Sequence, residues 1–356
     1  MKNMLKQVLT QKQQKSAGTV LLAHRSQAVL IIYAIMTFAL FFPGCAGLSR
    51  KMSSRVSVSV KELVPEAARI IREGLADSDP QIRANAIEVV AAAQRTELMP
   101  EVQQLLKDDF VPVRFAAALA VGDTGYYPAK SMVQRLLSAP DENSKIAAAY
   151  AMSKLGTPEH FELVREAITS MDQTVRANAA VLLGKSGDKD ALKLLYWALN
   201  DRDSDDKVRF QTAEARARLG DETVFPKLWA IALSSYADDR AIGVRAMGAL
   251  GTEKAREVLI TKLDDEILEV RLTAAEQLGT LGDNTGEPEV LDVFSKDLTA
   301  PMDKEGRERV NVLTAMAIGR IGTPRLVKFL PDLLKNESKF VRIAAAKAVF
   351  QCSTGK

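Results

Sequence analysis

Histidines and cysteines are where chemistry would show first, and the chain has two of each: His24, His160, Cys45 and Cys352. Two thiols alone make neither a disulfide framework nor a zinc site. His160 follows Thr157-Pro158 and precedes Phe161, which places it, solvated, at the start of a helix. Cys352 stands where equivalent segments carry Leu155, Leu219, Leu250, Leu281 or Ile321, the setting of a small buried hydrophobe. The acids between Asp201 and Asp206 lack the 1-3-5-12 spacing of a calcium loop, and acids ahead of a helix favour its N-terminus. No catalytic group, metal, cofactor or small-molecule substrate is expected. The formal charge is +3, but Lys2, Lys6, Lys12, Lys15 and Arg25 precede residue 46 without a single acid, leaving 43 basic and 45 acidic groups beyond it. A near-neutral body lacks the concentrated basic face of a nucleic-acid binder.

What positions these residues is a repeat. An apolar residue followed by Arg recurs at Ile82-Arg83, Val113-Arg114, Val175-Arg176, Val208-Arg209, Val270-Arg271 and Val341-Arg342. Lys145, Arg240 and Asn311 fill the same phase, giving intervals of 31, 31, 31, 33, 31, 31, 40 and 31 residues. Eleven residues after most markers stands a glycine (Gly125, Gly156, Gly187, Gly220, Gly251, Gly282, Gly322), the residue that ends a helix in the left-handed conformation. Each unit reads as helix A, a short acidic turn and helix B. In the first unit Asp79-Pro80 supplies an N-cap and a first-turn proline for helix B. Pairs such as Ala117–Ala118, Ala148–Ala149, Ala179–Ala180, Ala274–Ala275 and Ala345–Ala346 mark where neighbouring helices come close. No single helix pair can bury such stripes, so the units must stack.

The pattern Asp-x-x-Val-Arg-x-x-Ala-Ala followed by Leu-Gly resembles the HEAT family, in the short form also found in phycobilin lyases. Val270-Arg271-Leu272-Thr273-Ala274-Ala275 through Leu281-Gly282-Asp283 is the best copy. The resemblance covers residues 61–356 and implies an all-α, right-handed α-solenoid of about nine HEAT-like helix-turn-helix repeats with a period of 31. It also implies a ladder between repeats, in which Arg83, Arg114, Arg176, Arg209, Arg271 and Arg342 meet the acids of the turns. Two enzyme activities accompany this repeat type. Deoxyhypusine hydroxylation needs several His-Glu pairs around two irons, and the array holds the single histidine His160, which excludes it. Bilin attachment has no short motif to look for, and an exported lyase would not meet its substrate. The fold itself carries many unrelated tasks, and with both activities set aside the reading is a scaffold or adaptor for a protein partner.

The first 45 residues read as an address. Ala28 to Phe42 is a fifteen-residue apolar run, the length of a signal h-region and short of the roughly 20 residues that span a bilayer. The stretch Leu40-Phe41-Phe42-Pro43-Gly44-Cys45-Ala46 resembles a bacterial lipoprotein signal, which implies acylation of Cys45. Pro43, and Phe42 where Leu is usual, depart from that pattern; an uncleaved single-helix anchor and a cleaved secreted protein are the alternatives. Positive charge ahead of the run puts the solenoid outside the cytoplasm, in the cell envelope. Ala46 after the cysteine implies the outer membrane. Residues 46–60 read as a tether.

The repeat register also maps the surface. Eleven and ten residues before the marker, helix A is polar in most units, as at Arg72–Glu73 and Gln103–Gln104. The fifth unit carries Tyr196–Trp197 there and the sixth carries Trp229, on adjacent helices. Exposed aromatic clusters mark contact sites, although rings folded over the space between repeats would merely pack. Helix B faces the concave side in the family, and nine residues past the marker it holds Lys154, Lys185 and Arg218 in three successive units. Such a basic stripe suits an acidic peptide, an anionic polymer or a lipid headgroup, unless the cations only complement helix C-termini.

Overall fold

The computed structural model describes residues 59–354. The address expected over residues 1–45, with Cys45, lies outside them, as does nearly all of the tether. Nine repeats follow one another in the phase that the markers set. The first pairs α1 (Val60–Leu75) with α2 (Pro80–Ala92), the second α3 (Met99–Gln104) with α4 (Val111–Thr124), the third α5 (Lys130–Leu136) with α6 (Glu142–Lys154). Then come α7 (Glu162–Ala167) with α8 (Gln173–Ser186), α9 (Leu192–Asn200) with α10 (Asp206–Arg218), and α11 (Phe225–Ala232) with α12 (Ala237–Leu250). The seventh pairs α13 (Glu253–Thr261) with α14 (Leu268–Thr280) and the eighth α15 (Glu287–Ser295) with α16 (Lys304–Ile321). In the ninth, the outer helix is split into α17 (Pro324–Val327) and α18 (Leu330–Leu333), with Pro331 in the first turn of the second piece, before α19 (Lys339–Ser353). The fold is an all-helical α-solenoid.

Local chemistry sets the ends of the inner helices. The Asp79 carboxylate accepts from the Gln81 amide at 2.8 Å, and Asp141, Asp172 and Asp205 cap α6, α8 and α10 in the same way. All seven marked glycines have positive φ, from 62° at Gly125 to 91° at Gly156. The nine-residue insertion falls before α16, which runs for 18 residues against 13 or 14 in most inner helices.

Packing explains the small residues. The five alanine pairs are fully buried, and the inner helices lie so close that a Cβ added to Gly184 would sit 2.7 Å from the Cα of Ala215. Helices α4, α6, α8, α10, α12, α14, α16 and α19 succeed one another around one inner wall.

The array does not stop at two free faces. It closes into a ring, because α19 packs on α1 and α2 of the first repeat. Lys339 Nζ meets Asp77 Oδ2 at 2.7 Å, and Lys347 Nζ meets Glu88 Oε1 at 3.1 Å. The Arg95 guanidinium stands 4.4 Å from the centre of the Phe350 ring. Gly74 is where the outer helix touches the seam: a Cβ there would be 3.0 Å from Ala86 Cβ and 3.3 Å from Ile343 Cδ1. Asp77 stands six residues before its marker, as Asp108 and Asp265 do, so the first repeat receives the ninth much as each repeat receives its predecessor. The apolar faces that two free ends would leave in water cover each other instead.

Gly74→Leu forces side-chain atoms into the seam and should cost about 1–3 kcal/mol, as overpacking does. Small-angle scattering should then show a larger radius of gyration with helix content unchanged. An unchanged scattering profile and melting point would show that the seam is not held there.

Candidate functional site

Three groups of side chains were singled out by the register, and the structure places each differently. The arginines form a ladder along the edge where outer helix turns into inner helix. All but Arg176 reach back to carbonyls of their own turn, and in most repeats the arginine reaches forward to an acid of the next. Arg83 binds Asp108 through two bonds of 2.8 Å, and Arg240 holds Asp265 through bonds of 2.8 and 2.9 Å. Arg114 meets Asp141 at 2.8 Å, Arg176 meets Asp201 at 2.6 Å, and Arg271 meets Glu289 at 2.9 Å. Arg209 reaches the Asp201 carbonyl at 3.2 Å, and Arg342 donates to the carbonyls of Asn336 and Glu337. Burial alone would raise the Asp265 carboxyl, but bonds from Arg240 and the Ile267 amide hold it below the usual carboxylate range. These guanidiniums are committed to the fold.

The inner face is a network of paired charges rather than a free basic stripe. Lys185 Nζ crosses two repeats to Asp123 Oδ2 at 2.9 Å, and the Tyr150 hydroxyl donates to the same carboxylate at 2.6 Å. Arg218 is bound by Glu214 at 2.8 Å, one turn back on its own helix. Lys154 lies 3.3 Å from the Ser186 carbonyl and 5.6 Å from the Tyr150 ring centre. The expected stripe of Lys154, Lys185 and Arg218 is thus partly neutralised: Asp123 answers Lys185 from two repeats before, Glu214 answers Arg218 from one turn back, and Lys154 meets a carbonyl and a ring. Further round, Glu276 is buried, and burial pushes its carboxyl up although Lys347, Arg320 and Arg245 act on it through space.

The outer face carries the aromatic group. Tyr196 is 60% exposed, Trp197 44% and Trp229 38%, and Leu233 and Tyr236, which follow Trp229 in the chain, are 56% and 73% exposed. The rings are also braced from below. The Trp197 ring lies 5.2 Å from the guanidinium of the buried Arg176, and the Tyr196 ring 5.3 Å from that of Arg216. Trp229 stacks on Phe225 with centres 6.4 Å apart. Arg216 is the residue that register reasoning missed. It takes the seventh position past its marker, apolar in the other repeats, and is buried against Asp221 at 2.7 Å and Thr223 at 2.9 Å. The break in the apolar series was its signal. Cys352 is half-buried rather than enclosed, with Sγ 3.7 Å from the Ile318 carbonyl. His160 is half-buried at the start of the fourth outer helix. Among the described residues no group of His, Cys, Asp and Glu is placed to hold a metal.

The model of the HEAT repeats matches residues 68–131 and 162–242. Phycocyanobilin lyase subunit alpha of Picosynechococcus is 30% identical over 115 residues, 32% of this chain and 43% of that protein, so the chain spans less than half of the curated relative it matches. Among solved structures, the complex of CpcE and CpcF of phycocyanin lyase from Nostoc aligns over 77% of this chain and all of that one, at 16% identity and a TM-score of 0.42. Human deoxyhypusine hydroxylase aligns over 74% of this chain and 98% of its own, at 17% identity and a TM-score of 0.36.

Arg240→Ala leaves the Asp265 carboxylate with only the Ile267 amide and Lys262 at 3.7 Å, and should cost about 2 kcal/mol in urea unfolding at neutral pH. Arg342→Ala, which loses bonds to two carbonyls, should cost roughly 1–2 kcal/mol. The folded pKa of Asp265 is depressed, so the Arg240 contribution should be present at neutral pH and fade as pH falls through the acidic range. Glu276 has the opposite sign. Its folded pKa is raised, which favours the fold at low pH and withdraws that support as pH climbs, so Glu276→Gln should raise the melting temperature more at pH 8 than at pH 4. A gain of equal size at both would show that ionisation of Glu276 does not matter.

Proposed function

Because the chain carries HEAT repeats, we propose that it is a scaffold or adaptor that binds another protein, held at the cell envelope by its N-terminal segment. The observation that carries this reading is the outer patch of Tyr196, Trp197, Trp229, Leu233 and Tyr236. Large aromatics standing partly in water on two successive outer helices are what contact hot spots are made of. The arginines beneath Tyr196 and Trp197 fix these rings in place, so little side-chain entropy is lost on binding. An anionic polymer along the inner face is disfavoured, because Lys185 and Arg218 already have acids. Anchoring rests on the apolar run Ala28 to Phe42 and on Cys45 as acyl acceptor. A bilin lyase is a second reading, favoured by the likeness to phycocyanobilin lyase subunit alpha.

Tyr236 makes no side-chain bond within the described residues, so Tyr236→Ser and Trp229→Gln should leave stability within about 0.5 kcal/mol of the parent, as exposed substitutions do. Trp197→Gln uncovers Arg176 and should cost about 0.5–1 kcal/mol. All three should reduce crosslinking to one recurrent envelope protein in intact cells. Full crosslinking by the triple variant would reject this patch as the contact surface. Labelling by a fatty-acid analogue should be lost in Cys45→Ser. A bilin adduct formed on apo-phycocyanin in the presence of the purified protein would favour the lyase instead.

A further inference from the structure

The ring encloses a cavity that the outer-face reading does not use. Its volume is about 380 Å³, and it is walled by α2, α12, α14, α16 and α19, so the first repeat and repeats six to nine face one space. That is room for a small organic molecule and too little for a folded partner. The opposite side of the inner wall is tied by polar bonds, from Lys185 to Asp123 and from Asn178 to Asn143. On the cavity side the inward positions turn apolar, at Ile242, Val312, Leu313 and Met316.

We propose that this cavity binds an amphipathic organic cation, with its apolar body against Ile242, Val312, Leu313 and Met316 and its ammonium group at Asp238 beside Glu269. The charges of the lining favour a cation. Arg309 is paired with Glu269 at 3.5 Å and Lys347 with Glu88 at 3.1 Å, and Arg245 has an interaction of its own. Asp238, in the first turn of α12, makes no ion pair among the described residues. Desolvation, then the neighbouring Asp239 and, more weakly, Glu269 push its carboxyl up, and Arg309 and Arg245 offset this through space. An ammonium group there gains Asp238 as a direct ion-pair partner with Glu269 alongside, whereas a carboxylate would meet two acids. The apolar walls recover the transfer free energy of a hydrocarbon body. This assignment is independent of the protein partner and of the anchor.

The test is calorimetric titration of the purified protein with decyltrimethylammonium, decanol and decanoate, each below its micellar or solubility limit. The cation should bind with a stoichiometry of one and at least tenfold more tightly than the other two. Asp238→Asn, which keeps the side chain's shape and removes its charge, should reduce the cation to the affinity of decanol. Ile242→Trp should weaken decyltrimethylammonium and decanol alike by filling the cavity. Decanoate binding as tightly as the cation, no binding of the cation, or a cation affinity unmoved by Asp238→Asn would each overturn the proposal. If Ile242→Trp does not fold, Asp238→Lys serves in its place, and retained tight binding of the cation would again overturn it.

Discussion

No helix pair in this chain can bury its own apolar surface. Each inner helix is apolar toward its outer helix and toward both neighbours, as the full burial of Val121, Leu183, Leu278 and Ile318 and of the alanine pairs shows. A repeat is therefore stable only between two others, and a linear array must leave its end units incompletely covered. Nine units of this curvature remove the difficulty by meeting. Gly74 at the seam makes room for Ile343, and Asp77 offers Lys339 the acid that ladder turns elsewhere offer an arginine. The ends of the array thus become an ordinary interface.

Charge follows from that geometry. The ladder is stitched between neighbours, where an arginine satisfies carbonyls behind it and a carboxylate ahead. The inner network reaches further, across two repeats from Lys185 to Asp123, because a curved wall brings distant helices within side-chain reach. Two regions offer more than paired charge. One is the cavity lined by α12, α14, α16, α19 and α2, and the other is the outer aromatic patch. They differ in what they can hold: the first is a half-open, amphipathic cavity, the second a set of exposed rings on outer helices.

The repeat phase was legible because it is local. Marker arginines, alanine pairs and terminal glycines act within one or two helices, and each marked glycine takes the left-handed conformation that its spacing implied. Exposure of Tyr196, Trp197 and Trp229 followed from the same register. What escaped depends on curvature or on partners far away in the chain. Asp123 stands nine residues past its marker, as Lys185 does, but the register does not say that helices two repeats apart lie close enough for the bond. Arg176 lies one repeat before the Trp197 ring that covers it, and nothing in the pattern pairs them. Closure left the faintest trace, since Gly74 and Lys339 look like ordinary residues of a helix surface until Ile343 and Asp77 are beside them.

The seam also orders events in time. Ladder bonds join residues about 25 positions apart, whereas Lys347 and Glu88 are separated by 259. Local contacts form first, because closing a long loop is entropically slow, so the array can grow from any repeat while its two ends remain apart. During that interval α1 and α19 present the surfaces that will later cover each other, and a second molecule at the same stage presents an identical pair. The choice between self-closure and exchange is then kinetic, set by the effective concentration of the two ends on one chain against the concentration of other chains. High dilution favours the closed ring, and crowding during synthesis favours interlinked copies whose every junction is native.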